Sequence, residues 1–205
     1  MALSKIQAES MNLADTYAFT GSVSGAGSHE KLHSITASNG DSDITFSSTY
    51  ITSDYDKFFF TFQNVIPNNG SNYFVARISF DNGTFYKTTQ YDKVSFEGHE
   101  GTASDVINSR YGANTGYMMI TGSSGFHPTF ADSAFNGVAY FHNTDVDYKS
   151  MSFMGNYQYS GGNHVGVYSS HRVGDNRTDR CNNIKFYWNS GTWLSGKITL
   201  YGVRQ

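Results

Sequence analysis

The amino-acid sequence predicts an all-β protein, a sandwich or barrel, and three observations carry the prediction. Tyr (15), Phe (16) and Gly (21) are abundant while charged residues make up only 15 % of the chain. Aromatic residues suit pleated, half-buried surfaces, and Gly, Asn, Ser and Asp supply turns. From Tyr17 onward, short apolar or alternating runs recur between Gly, Asn, Asp or Ser, as in antiparallel sandwiches and barrels. Only Pro67 and Pro128 interrupt the chain, both outside these runs, as the missing proline N–H requires. At 205 residues and without an internal repeat, the chain reads as one domain.

Taken in order, residues 1–15 stand apart. Ala2, Leu3, Ile6, Met11 and Leu13 recur at near-helical spacing, weakened by Ser4, Ser10 and Asn12. They are assigned to an N-terminal arm, and residues 16–205 to the β-domain. The expected strands are TYAFTGSVS, LHSITAS, DITFSSTYIT, KFFFTFQNV, NYFVARISF, TFYKTTQY, KVSFEG, TGYMMITG, GVAYFHN, YKSMSFMGNYQY, HVGVYSSHRV, NIKFYWNS and GKITLYGV. Alternation puts Ile44 and Phe46 on one face of their strand, and Phe58, Phe60 and Phe62 on one face of the next, with Phe59 and Thr61 opposite. The second of these reads as a central strand covered on both sides. SFDNGTFY carries the strongest hairpin signal, since Asn and Gly accept positive φ at little cost. The last two runs read as a closing hairpin, with Ile184, Phe186, Trp188, Ile198 and Leu200 on one apolar face and the last strand beside YAFTGSVS.

Charge argues against nucleic acid. A formal net charge of -3 and the lack of any Lys/Arg run give no field for gripping phosphates. A single Cys181 forms no intrachain disulfide and falls short of the usual zinc or redox motifs. No apolar run of about 18 residues suits membrane insertion, and the first residues lack the apolar core of a secretory signal. Folding in a reducing cytoplasm is the expectation.

Catalysis finds no positive support. The D-x-D triplets at 41–43, 54–56 and 145–147 put two carboxylates on one strand face, yet none extends into a calcium loop. They read as solvated turns or, alternatively, as weak cation sites. Glu97, His99 and Glu100 in FEGHEG would serve for a metal or a proton, but the plainer reading is an exposed glycine-flanked turn. The seven histidines show no metal-ligand spacing, and no nucleophile elbow or P-loop occurs. No catalytic residue, metal ligand or cofactor is assigned.

Aromatic residues are the remaining candidates. Trp193 in SGTWLS, Tyr157 and Tyr159 ahead of SGGN, and Tyr168 are placed to stack on a ligand or anchor a subunit contact; the competing reading is that they fill the core. Trp188, in phase with Ile184 and Phe186, is assigned to the core. The segment RVGDNRTDRC brings Arg172, Arg177 and Arg180 together with Asp175 and Asp179, for local ion pairs or a polar subunit contact.

Two segments also resemble known proteins. LSKIQAESMNLADTYAFTGSVSG (3–25) and NIKFYWNSGTWLSGKITLYGVRQ (183–205) resemble the opening and ending of virion proteins of tailed bacteriophages, especially marine and cyanobacterial ones. Phe19, Thr20 and Gly21 match the opening. Gly196, Ile198, Leu200, Tyr201 and Gly202 match the ending, where Lys197 replaces the more usual Thr. The resemblance implies a single jelly-roll or lectin-like β-sandwich on a virion assembled in the host cytoplasm. It further implies a homotrimer, with the arm holding other virion proteins.

Three functions follow from these readings. The first is a tail fibre or adhesive decoration contacting a host-surface glycan or protein, and the second an architectural capsid or tail cement. The third, a glycan depolymerase, is disfavoured by the missing acid pair and β-helix repeat. Fold alone does not separate them.

Overall fold

A computed structural model describes residues 28–70, 72–100, 106–121, 133–145, 148–159, 163–173 and 179–204. Among these lie strands β1 (His29–Ala37), β2 (Asp43–Phe46), β3 (Lys57–Pro67), β4 (Phe74–Ser79), β5 (Tyr91–His99) and β6 (Val106–Thr115). They continue with β7 (Met118–Met119), β8 (Phe135–His142), β9 (Ser150–Tyr159), β10 (Asn163–Val173), β11 (Asn183–Trp188) and β12 (Trp193–Val203). The fold is all-β, as expected. The expected arm over 1–15 and the strand TYAFTGSVS lie outside the described residues.

Two antiparallel sheets form a sandwich. The large one has eight strands in the order β1-β12-β3-β8-β9-β10-β5-β6, and the small one four, β2-β11-β4-β7. Their inner faces interlock through aromatic rings. Phe60 and Phe62 on β3 stand 5.2 and 5.3 Å from the Phe186 ring on β11, and Phe62 stands 5.6 Å from Phe74 on β4. Edge-to-face contacts of this kind add to the gain from burying the ring area. Phe58, Phe60 and Phe62 are buried on one face as alternation requires, as are Ile44 and Phe46. β3 is an interior strand of the large sheet.

The small sheet ends at β7, and side chains from the large sheet serve its edge. Tyr91 Oη on β5 accepts a bond from the Ile78 N–H and donates one to the Lys87 carbonyl. His171 Nε2 and Ser169 Oγ on β10 both donate to the Met119 carbonyl of β7, at 2.8 and 3.0 Å. Backbone groups that a short edge strand leaves open are thus paired inside the sandwich.

The end of the chain corrects the hairpin reading. β11 belongs to the small sheet and β12 to the large one, so NNIKFYWNSGTWLSGKITLYGV turns a corner between layers. β12 is interior, paired with β1 on one side and β3 on the other, which leaves no edge for TYAFTGSVS. Its ladder to β3 slips twice between Trp193 and Lys197. Gly196 sits in that irregularity at φ 144, where a Cβ would stand 2.9 Å from Val65 Cα. At Gly202 a Cβ would meet the Tyr55 ring at 2.5 Å.

Other expected elements shift as well. Pro67 is the last residue of β3, not outside a strand, and at a strand end its missing N–H breaks no long ladder. SFDNGTFY and TFYKTTQY form a turn with one bridge, Ser79 to Tyr86, in place of a two-stranded ladder. There Asp81 Oδ1 accepts bonds from Ser79 Oγ and from the Phe85 N–H, drawing the chain into a side-chain-bonded turn. β6 was not expected at all.

Candidate functional site

Alternation along β5, β9 and β10 divides their side chains between two environments. Val165, Val167, Ser169, His171 and Val173 of β10 are buried, which sends Tyr168, Ser170 and Arg172 to the outer face of the large sheet. Register aligns them with neighbours of the same orientation. Ser109, Phe96, Tyr168, Met154 and Val138 form one row from β6 to β8, and Tyr111, Val94, Ser170, Ser152 and Tyr140 form the next.

This outer face carries most of the molecule's exposed apolar side chains among the described residues. Ile107 is 84 % exposed, Tyr111 79 % and Met154 58 %, with Phe96, Tyr168, Val94 and Tyr140 also exposed. Phe59 continues the array, 4.8 Å from the Tyr140 ring and 5.9 Å from the Tyr201 ring. Scattered single exposed apolar residues need no explanation; a contiguous set points to a contact surface.

One end of the face is concave. A cleft of about 510 Å³ is lined by Asp92, Val94, Tyr111, Tyr148, Ser150, Ser170 and Arg172, with Lys93 and His171 contributing from the strands beneath. Arg172 Nη2 donates to Asp92 Oδ2 at 2.8 Å across the β10–β5 register pair. The guanidinium also lies 4.6 Å from the centre of the Tyr148 ring. The hydrogen bond from Arg172 to Asp92 raises the arginine pKa and keeps the group charged. Lys93 turns inward, its Nζ 3.6 Å from Met119 Sδ, and burial lowers its pKa. The cleft therefore pairs one carboxylate with one guanidinium between two tyrosine rings.

The residues expected from sequence separate. Arg172 lies in the cleft. Its partner Asp92 belongs to β5, and Arg180 donates to Asp56 ahead of β3, so both described arginines of RVGDNRTDRC bond outside that segment. Trp193 is fully buried. It opens β12, where a turn was expected, and packs 5.5 Å from Phe74 and 6.0 Å from Trp188, because the corner between sheets turns its ring inward. Tyr157 is 2 % exposed on the inner face of β9, in phase with Met151 and Phe153. Neither ring reaches the surface. Arg177 and the side chain of Tyr159 lie outside the described residues.

The other sequence candidates resolve into structure. Glu97 belongs to β5 and not to an exposed turn: its carboxylate is buried, 3.2 Å from His99 Nε2 and 3.9 Å from Arg110 Nε. Asp41 Oδ2 accepts the Ser38 N–H and so shapes a turn, while Asp43 accepts from the Ser42 and Thr45 hydroxyls at the start of β2. Asp54 accepts from Thr52 Oγ1, while residues 146–147 of the third triplet lie outside the described residues. Among the described residues no group of three or more His, Cys, Asp or Glu converges as a metal would need.

Sequence reasoning missed Asp92, Tyr111 and Tyr148. Tyr168 and Arg172 share a face at i and i+4, which HVGVYSSHRV displays once Val165 and Val167 are taken as buried. Tyr111 depends on β6, whose run VINSRYGANT is too polar to announce a strand. Comparison with known proteins adds no relative: no protein-family model, curated protein or solved structure matches the chain.

Proposed function

We propose that this chain is a non-enzymatic structural protein of a tailed-phage particle, displayed on its surface and contacting the host through the outer face of its large sheet. The observation that carries the contact is the continuous exposed array from Ile107 and Tyr111 across Phe96, Tyr168 and Met154 to Tyr140. The phage assignment rests on the resemblance of residues 3–25 and 183–205. A jelly-roll or lectin-like form of the sandwich, a homotrimer and an arm-mounted attachment to other virion proteins belong to the same proposal. Either a tail fibre or an adhesive decoration fits it.

The test is retention of the purified protein on host cells, with Met154→Lys placing a charge in the centre of the face. Loss of retention with an unchanged melting temperature is the expected result. Undiminished retention would overturn the assignment of this face, and release of reducing sugar from host polysaccharide would overturn the non-enzymatic part. The architectural alternative draws on the same surface, whose apolar rows also suit a neighbouring subunit. It predicts particles that disassemble without the protein while host binding persists, and electron microscopy of labelled particles places the chain on capsid or tail.

A further inference from the structure

The geometry points to the cleft between Tyr111 and Tyr148 as a binding site for a neutral saccharide. This rests on the proposal that the outer face contacts a host surface, and it names the chemistry recognised at one end of that face.

The cleft has the size and rigidity of a ligand site. At about 510 Å³ the cleft falls within the roughly 300–1,000 Å³ typical of small-ligand sites, and its floor is sheet, so it is formed before a ligand arrives. Tyr111 on β6 and Val94 on β5 are register partners, and Val94 is in turn the partner of Ser170 on β10. The floor is therefore set by backbone ladders and not by loops.

Its lining has the chemistry that a sugar ring needs. A sugar ring presents C–H faces that lie well against an aromatic ring, and an edge of hydroxyls that both donate and accept. Tyr111, 79 % exposed, and Tyr148, 42 % exposed, offer the rings. Asp92 and Arg172, joined at 2.8 Å, offer an acceptor and a donor side by side, at the spacing of two adjacent hydroxyls. The ring of Tyr148 and the carboxylate of Asp92 hold the guanidinium from two directions, so little side-chain freedom is lost on binding.

The charge balance of the cleft favours a neutral ligand. The charges of Asp92 and Arg172 offset each other, and Lys93, whose strand lines the cleft, points to the inner side against Met119. An acidic sugar would meet the Asp92 carboxylate, and a basic one would meet the Arg172 guanidinium. Neutral hydroxyl-bearing rings satisfy the pair without displacing either member.

The test titrates the purified protein with neutral disaccharides of glucose, galactose and mannose, and with a uronic-acid disaccharide, by calorimetry at low and high salt. At least one neutral probe should bind, with little dependence on salt. Tyr111→Ala should weaken it about tenfold or more, as should Asp92→Asn, with the melting temperature of Tyr111→Ala unchanged because its ring is exposed. The inference is overturned if no neutral probe binds, if Tyr111→Ala leaves affinity unaltered, or if only the acidic probe binds. Host-cell retention keeps the two readings apart. Retention that survives Tyr111→Ala but not Met154→Lys would overturn the saccharide site and leave the contact face standing; insensitivity to both would overturn the face.

Discussion

Lowering the pH should weaken the sandwich through His171 in a window fixed by its surroundings. The ring is buried on the inner side of β10, its Nε2 donates to the Met119 carbonyl of β7, and Nδ1 has no hydrogen-bond partner among the described residues. Burial is the main cause that pushes its pKa from 6.5 down to about 4, with Lys93 adding to it against the Met119 bond. The folded protein therefore resists a proton that the unfolded chain accepts. The neutral ring's stabilisation is fully present above pH 6.5 and is lost as pH falls from 6.5 to about 4, levelling off below. Across that gap, at about 1.4 kcal/mol per pH unit, the loss comes to about 3 kcal/mol. Urea unfolding from pH 7.5 to 4, followed by fluorescence of the buried Trp188 and Trp193, measures it. Carboxylates titrate in the lower half of this range, so the informative quantity is the stability difference between the protein and His171→Gln, whose amide can donate to Met119 without titrating. That difference should shrink by about 3 kcal/mol between pH 6.5 and 4. A difference independent of pH would show that His171 ionises normally in the fold and refute the reasoning.

Trp193→Ala should destabilise the protein by about 3–5 kcal/mol, since it empties a site between Phe74 and Trp188. Trp193→Phe should cost less, and thermal melting with cell retention at a temperature where both variants stay folded separates lost packing from lost binding. Asn143 donates to the Cys181 carbonyl and accepts the Cys181 N–H, both at 2.8 Å and buried; Asn143→Ala strands both backbone groups and should lower stability by about 3 kcal/mol in urea titration. Gly196→Ala should lower it by about 2 kcal/mol or more, because φ 144 and the 2.9 Å approach to Val65 Cα both oppose a Cβ.

How far the fold was legible depended on whether the signal lay within a strand or between strands. KFFFTFQNV shows its buried face because Phe58, Phe60 and Phe62 recur at period two, a property of the strand alone. NIKFYWNS and GKITLYGV show their strands equally well, yet nothing local tells whether two adjacent strands pair or belong to opposite sheets. The link between them looks like a hairpin turn and works as a corner. Trp193 was misplaced for the same reason: a tryptophan beside Ser and Gly suggests a turn, whereas its burial comes from β4 and β11 across the sandwich. VINSRYGANT failed differently. Its outward residues Ile107 and Tyr111 face solvent and Arg110 faces the buried Glu97, so its polarity reverses the usual inside and outside. Edge strands with exposed apolar residues on the outer face lose the contrast on which sequence reading relies.

The residues behind the phage resemblance bear on where function is to be sought. Of those in the ending, Ile198 and Leu200 are buried in the core, Gly196 admits the irregular ladder beside Val65, and Gly202 makes room for the Tyr55 ring. Only Tyr201 faces outward, and it packs against Phe59. Each matched residue in this segment thus has a folding reason. On the proposed phage reading, a shared segment of this kind reports a way of turning between sheets into an interior strand, and such a device can be kept while the contact surface changes. On the proposed saccharide reading, specificity belongs to the part of the large sheet farthest from β12, where β5, β6, β10 and the residues just ahead of β9 set Asp92, Tyr111, Arg172 and Tyr148 around the cleft. Proteins that share the ending but differ at those four positions should share the corner and differ in what they hold.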